Sequence, residues 1–446
     1  MGQLNLACEL ARIIRHFFPE LVSMLRQLPD PRHQSYITYP GAILLMTRIL
    51  SSIFYIGSMR KTSEELNSDT VIENIWELCG ETPTTDELPY WETINRYLEK
   101  LEPDNLQDII CRLCKRLIRS RAFEDARVRG KYWQVIIDGT QLYSSRGELD
   151  EKCLYRIHNK GTPDEYKESY YYVLEAKLVL HPGILVSIMT EFVENGGSGE
   201  MEKQDCERNA CWRLMEKLKK EFPELPLCLS ADSLYACERF FRECGEKKWH
   251  YILRFKEGSI PYVAEEYGCL RKKELNRQEE VPEDGRCWYD YVNGIDYEGY
   301  QLNLAEYVEE REKEIRKGKN RGKIQTARSR FLFLTDLPVT KRNVAKLVGY
   351  GRKRWKIENE GFNTQKKQGY NLEHQYSKDY GAMKNHYYLI QTGHMIAQVM
   401  ENVERIWRQI KQSREQKHRR ILESFKRDRI KDYVKAPETR MQMRLI

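Results

Sequence analysis

Two short apolar runs each lead to an aspartate, and this pattern narrows the possible fold more than any other. Val135-Ile136-Ile137 is followed by Asp138 and then by the turn-forming pair Gly139-Thr140. Leu227-Cys228-Leu229 leads through Ser230-Ala231 to Asp232. A short run that is apolar at every position suits a buried strand, and Gly-Thr after it suits a strand end. Both runs are thus predicted to be buried strands, with Asp138 at the C-terminal end of its strand. After Asp232, Leu234 to Phe241 has the spacing of an amphipathic helix, for which Asp232 is also a candidate N-cap.

A third acid, Glu358, lies inside a helical pattern. Thr340, just after Leu337-Pro338, is placed to cap that helix, and Val344, Val348, Trp355 and Phe362 mark its apolar stripe. Steps of three and four residues from Val348 pass through Gly351, Trp355, Glu358 and Phe362. Glu358 is therefore predicted to face inward, with Glu360 roughly two hundred degrees away around the helix. An inward carboxylate is costly unless paired, so either Arg354, one turn earlier, or a bound cation must neutralise it.

The order of elements around these acids is informative. Residues 1–128 read as helical, with amphipathic segments at Leu6 to Phe17, Ala42 to Tyr55, Asp69 to Leu78, Thr93 to Leu101 and Leu106 to Ile118. From Tyr132 the pattern changes to strands. The Asp138 strand is followed by Tyr170 to Leu180 and Ile184 to Phe192, joined by the turn His181-Pro182-Gly183. A helix from Glu202 to Glu221, the Asp232 strand and a strand from Trp249 to Phe255 come next. Three strands, a helix, a strand bearing an acid and a later helix bearing another acid is the order of an RNase H-like α/β core.

That core is interrupted. Residues 256–328 form a segment of subdomain size, rich in aromatics such as Trp288, Tyr289 and Tyr291, and read as a β-rich insertion. Its second half, Arg311 to Lys323, gathers Lys313, Arg316, Lys317, Lys319, Arg321 and Lys323 around two glycines, as a phosphate-contacting loop would. The core resumes at residues 329–403, with a strand at Phe331 to Leu334, the Glu358 helix and a helix from Asn385 to Arg405. A basic tail, 404–446, is expected to contact DNA or to be partly disordered.

Composition sets wider bounds. The chain has 446 residues, a formal net charge of +7, 32% charged and 41% hydrophobic residues, which describes a soluble enzyme-sized protein with a densely charged surface. A net positive charge and basic loops suit a polyanion better than a neutral sugar, which argues against a glycoside hydrolase using two of the acids. Ala42 to Ile56, the most apolar stretch, is broken by Arg48 and too short to span a membrane; with no secretory signal, the chain is expected to be cytoplasmic. Cys111 and Cys114 form the one Cys-x-x-Cys pair among 12 cysteines, without zinc-spaced partners, and are expected to be packed thiols. Cys153 and His158 likewise lack further ligands.

Asp138-Gly139-Thr140, Asp232-Ser233-Leu234-Tyr235-Ala236 and Arg354-Trp355-Lys356-Ile357-Glu358 together resemble the three acidic motifs of bacterial insertion-sequence DDE transposases. The resemblance covers residues 130–370 and is strengthened by Leu174-Glu175-Ala176-Lys177 and by the continuation Asn359-Glu360-Gly361-Phe362-Asn363. It points to the subgroup with a β-rich insertion between the second Asp and the Glu. The family places a Tyr seven residues before the Glu and a Lys seven after it. Here those positions hold Gly351 and Gln365, with Tyr350 and Lys366 each one residue off.

The resemblance implies cut-and-paste transposition by Mg²⁺-dependent cleavage at the element's ends and strand transfer into a target. Asp138, Asp232 and Glu358 would be the catalytic, metal-holding carboxylates for two Mg²⁺ ions about 4 Å apart, with Mn²⁺ as a substitute. Arg354 and Lys366 would contact phosphates, as would Lys317, Lys319 and Arg321, and Trp288 would stack on a flipped base or else pack in the insertion. The implied partners are double-stranded DNA, as terminal inverted repeats and as target, and a second copy of the chain on DNA ends, in a bacterial, nucleoid-associated setting without membrane contact. The helical segment 1–128 is expected to recognise the ends. Two other readings stay open: a structure-selective nuclease of the same fold, and a transposase-derived DNA-binding protein without activity.

Overall fold

Helical spacing before residue 128 becomes helix: α1 (Leu6–Phe17), α2 (Leu21–Gln27), α3 (Gly41–Ile53), α4 (Met59–Leu66), α5 (Asp69–Leu78), α6 (Trp91–Leu98) and α7 (Pro103–Arg119). Strands then take over, with β1 (Trp133–Ser145), β2 (Leu154–His158), β3 (Tyr166–His181) and β4 (Ile184–Val193). Next come α8 (Glu207–Glu221), β5 (Leu227–Ala231), α9 (Glu238–Lys247), β6 (His250–Phe255) and α10 (Pro261–Lys273). The chain continues with β7 (Gln278–Glu280), β8 (Gly285–Tyr297), β9 (Tyr300–Glu314), β10 (Ile324–Thr335) and α11 (Val344–Arg352). A π-helix (Ile357–Asn363), α12 (Thr364–Lys367), α13 (Tyr380–Glu401), α14 (Arg414–Arg427) and α15 (Ile430–Tyr433) complete it. The computed structural model describes residues 5–195, 206–273, 276–282, 285–314, 323–403, 406 and 412–433. Among these, no helix is long and apolar enough to cross a membrane.

The chain forms two units. The first comprises residues 1–126, 139–221 and 358–446, the second 127–138 and 222–357. Strand β1 contributes its first six residues to the second unit and the remainder to the first. In the second unit, β1 pairs in parallel with β5, and β5 in parallel with β6. Strands β10, β9, β8 and β7 follow in antiparallel succession beyond β6. The described residues within 256–328 hold one helix, α10, ahead of β7, β8, β9 and the first part of β10. Arg311 and Lys313, expected in a loop, lie on β9, because that strand runs on in register with β10 as far as Glu314. Helix α11 covers this sheet: Val344, Leu347 and Val348 pack with Ile252, Ala305, Tyr307 and Phe333.

In the first unit, β3 carries β4 and β2 as antiparallel neighbours. Helix α13 is buried along nearly all its length, which fits a sequence that carries, apart from Lys384 and Glu401, no acidic or lysine or arginine side chain. The basic tail, expected to contact DNA or to be partly disordered, packs against the first unit's helices where it is described. Ser413 and Gln416 form a capping box on α14, Ala7 N donates to Ser424 Oγ at 3.1 Å, and Asn74 Nδ2 donates to the carbonyls of Phe425 and Asp428 at 2.9 and 2.8 Å. Ile421 and Phe425 supply the apolar face that the high density of Lys and Arg obscures in the sequence.

The succession β1, β3, β4, α8, β5, α9, β6, with β1, β5 and β6 parallel, is that of an RNase H-like core.

Candidate active site

Asp138 is not at a strand end. β1 continues to Ser145, and what stops near Asp138 is its pairing with β5, whose register runs from Trp133↔Leu227 to Ile136↔Ser230. Burial changes at the same place, unbroken from Trp133 to Ile137 and intermittent beyond. Gly139 makes no turn; it leaves room for Tyr172, whose hydroxyl would stand 2.4 Å from any Cβ there. That hydroxyl donates to Glu207 Oε2 at 2.6 Å.

Continuing the β1–β5 register by two residues brings Asp138 level with Asp232. Residues level on parallel neighbours project to the same side of a sheet, although the pairing itself ends at Ile136↔Ser230 and β5 at Ala231. Asp232 also accepts from Leu234 N at 2.8 Å, capping a single 3₁₀ turn, Ser233–Tyr235, and not the predicted helix. The helix begins only at Glu238, and Leu234 is left exposed. The β5–β6 register, carried one residue past Ala231↔Leu253, sets Arg254 level with Asp232. Arg254 is held by three carbonyl acceptors, those of Phe255, Leu332 and Arg330, at 3.1, 2.8 and 3.1 Å. Burial, then the charges of Arg354 and Arg330, pulls its pKa below the ordinary arginine value. Arg254 was not singled out in the sequence; the only signal was its place near the end of the strand at Trp249 to Phe255.

The Glu358 segment departs most from its predicted form. Thr340 is not the cap: Asn343 takes the N-cap position of α11, and its amide links Thr340 N and Pro338 O. The helix then breaks at Lys353–Arg354. Trp355, predicted on the inner stripe, is 43% exposed, because the break shifts the phase of everything after it. Arg354 is 8% exposed, and its Nη1 lies 3.4 Å from Asp138 Oδ2. Its guanidinium also stands 4.9 Å from the Trp355 ring centre. Gln134 Nε2 ties this region to the strands, donating to Ser230 Oγ at 2.8 Å and to the Tyr350 carbonyl at 2.7 Å. Gly351 is needed here, since a Cβ would lie 2.4 Å from the Phe333 ring.

Glu358 belongs to the first unit, second in the π-helix Ile357–Asn363 and partly exposed. Lys366 pairs with Glu373 at 2.9 Å, and Gln365 beside it is fully buried. Trp288 is half-buried on β8 with the Arg277 guanidinium 5.1 Å from its ring centre. Lys317, Lys319 and Arg321 lie outside the described residues. Cys111 and Cys114 are buried thiols facing the carbonyls of Ile188 and Ser187, and His158 binds Glu168 at 2.7 Å. Among the described residues no three His, Cys, Asp or Glu side chains form a ready metal-binding group.

Residues 204–396 match the family described as the transposase DDE domain. This stretch includes Asp232 and Glu358 and begins after Asp138. Among solved structures, the cryo-EM structure of a piggyBac transposase synaptic complex with hairpin DNA is similar at 12% identity, with a TM-score of 0.43, over 98% of this chain and 83% of that one. No curated protein matches the chain in sequence.

Proposed function

We propose that the chain is the transposase of an insertion sequence, cutting DNA at the element's ends and joining them to a target. The observation that supports this reading is the parallel pairing of β1 with β5, the two strands that lead to Asp138 and Asp232, in a chain whose residues 204–396 match the transposase DDE domain. Glu358 is the third carboxylate on the strength of its motif. A set of oxygen donors alone suits Mg²⁺ or Mn²⁺, and Asp138 is 18% exposed, so it can reach a hydrated ion. Two ions held by Asp138, Asp232 and Glu358 would supply activation of the attacking oxygen and charge stabilisation of the leaving one.

The protein's own groups do the positioning. Arg354 sets a permanent, planar cation beside the carboxylate pair, suited to two-pronged hydrogen bonding with a DNA phosphate. Arg254, locked by three carbonyls, adds positive potential on the same side. Lys366, Trp288, Lys317, Lys319 and Arg321 extend the proposed DNA contact, and residues 1–128 the recognition of ends. The partners are duplex DNA and, on paired ends, a second copy of the chain.

The test is cleavage of a labelled duplex spanning the genomic ends that flank the coding sequence, with Mg²⁺. Asp138→Asn, Asp232→Asn and Glu358→Gln should each abolish cutting at the boundary and retain DNA binding. Variants that cut like the wild type would refute the assignment. A wild type that binds and never cuts would favour a DNA-binding protein derived from a transposase.

A further inference from the structure

A buried polar chain runs behind the segment that carries Glu358. Lys177 on β3 has no exposed side-chain surface, and neither has Glu175, whose Oε2 is 3.6 Å from the Lys177 ammonium. Lys177 Nζ donates to Gln391 Oε1 of α13 at 2.8 Å. The same oxygen accepts from Gln365 Nε2 of α12, also at 2.8 Å, and Gln391 Nε2 returns a 3.3 Å bond to Gln365 Oε1. Lys177 also stands 5.7 Å from the ring centre of Phe362, inside the π-helix. Thr364, itself buried, donates through Oγ1 to the Asn359 carbonyl at 3.0 Å, closing the wide turn from its C-terminal side.

The π-helix gives this chain a purpose. In an unbroken α-helix, residues seven apart share a stripe, so Gln365 and Glu358 would face the same way. Glu358 would then be driven into the core, or Gln365 pulled out of it. A π segment holds one residue more than the α-helix it replaces, which rotates the residues beyond it by about one hundred degrees. Gln365 can then be fully buried while Glu358 stays partly exposed, and Lys366 takes the stripe that Gln365 would have held. π turns are rare and tend to persist where surrounding contacts hold them.

We infer that Gln365, anchored by Gln391 and the buried Lys177 ammonium, is a positioning residue that sets the direction of Glu358 by stabilising the π-helix. This rests on the proposed role of Glu358 as a metal-holding carboxylate.

The experiment compares wild type with Gln365→Met and the double variant Gln365→Met/Gln391→Met, which removes both amides at nearly constant volume. Three quantities are read: folded fraction by thermal melt, Mn²⁺ affinity by electron paramagnetic resonance, and Mg²⁺ dependence of cleavage of the end-bearing duplex. Misdirected Glu358 should weaken Mn²⁺ binding and raise the half-saturating Mg²⁺ concentration by tenfold or more, with cleavage partly regained at high metal. Folded variants with unchanged metal affinity and half-saturation would overturn the inference. If Gln365→Met does not fold, Gln365→Asn, one methylene shorter with its amide kept, is judged by the same two metal readouts. A wild type that neither cuts nor binds Mn²⁺ refutes the active-site reading itself, an outcome distinct from wild-type activity matched by the variants.

Discussion

Gly351 shows how a single residue is constrained by its neighbours. The position seven before Glu358 holds glycine because Phe333 fills the space above it, with a Cβ forced to 2.4 Å from that ring. Gly351→Ala is expected to destabilise the protein by about 1–3 kcal/mol through overpacking, read as a fall in denaturant midpoint at constant slope. His386 is constrained by charge. It is buried; its Nδ1 accepts from Arg48 Nε at 3.0 Å and its Nε2 donates to Asn95 Oδ1 at 2.6 Å, so the ring is neutral. Burial, then the charges of Arg48 and His374, holds its pKa well below the usual histidine value. As pH drops below about 6.5 the unfolded chain takes a proton that the folded chain refuses, and stability falls by at most about 1.4 kcal/mol per pH unit. His386→Gln keeps an acceptor for Arg48 and a donor for Asn95, and should flatten the Tm profile on the acid side. None of these environments was visible in the sequence, where Gly351 stood as a missing tyrosine and His386 carried no signal.

Elements were legible wherever one face had to be buried. β3, β4 and β6 and the helices α1, α3, α5, α6 and α7 fall close to their predicted places because periodicity records burial directly, whereas the short α2 and α4 were not foreseen. The helix bearing Glu358 was not legible as it is. Its apolar spacing is continuous, whereas the neighbours of the break at Lys353–Arg354 and of the π-helix include β1, β3 and α13, whose contacts the local sequence does not record. The helices of the basic tail were only faintly legible for the opposite reason: their few apolar residues sit among many charges, yet they dock on α1 and α5. Asn74 both donates to that tail and accepts from Ile430 N at 2.8 Å. Truncation after residue 411 is therefore expected to lower Tm by something on the order of 5–10 °C, as well as weakening DNA binding. A truncated protein with unchanged Tm would show that the tail serves DNA alone.

For the molecule as a whole, the +7 charge is compatible with the proposed action on a polyanion. Replacing Lys317, Lys319 and Arg321 with alanine should reduce the slope of log affinity against log salt by about 0.9 for each phosphate no longer neutralised. An unchanged slope would remove these three residues from the DNA interface. The sequence by itself determined that two buried strands bring aspartates into an α/β core, since a short wholly apolar run ending on a carboxylate admits few other placements. It also determined that a third acid follows an insertion, a matter of order along the chain. Only the tertiary structure decided that Asp138 sits where β1 leaves β5 and not at a strand end, that Arg354 turns to Asp138, and that Glu358 rides on a π-helix. The physical reason is range. Periodicity encodes which face of an element is buried, whereas strand register, helix breaks and the partners of buried charges are set by side chains tens to hundreds of residues away.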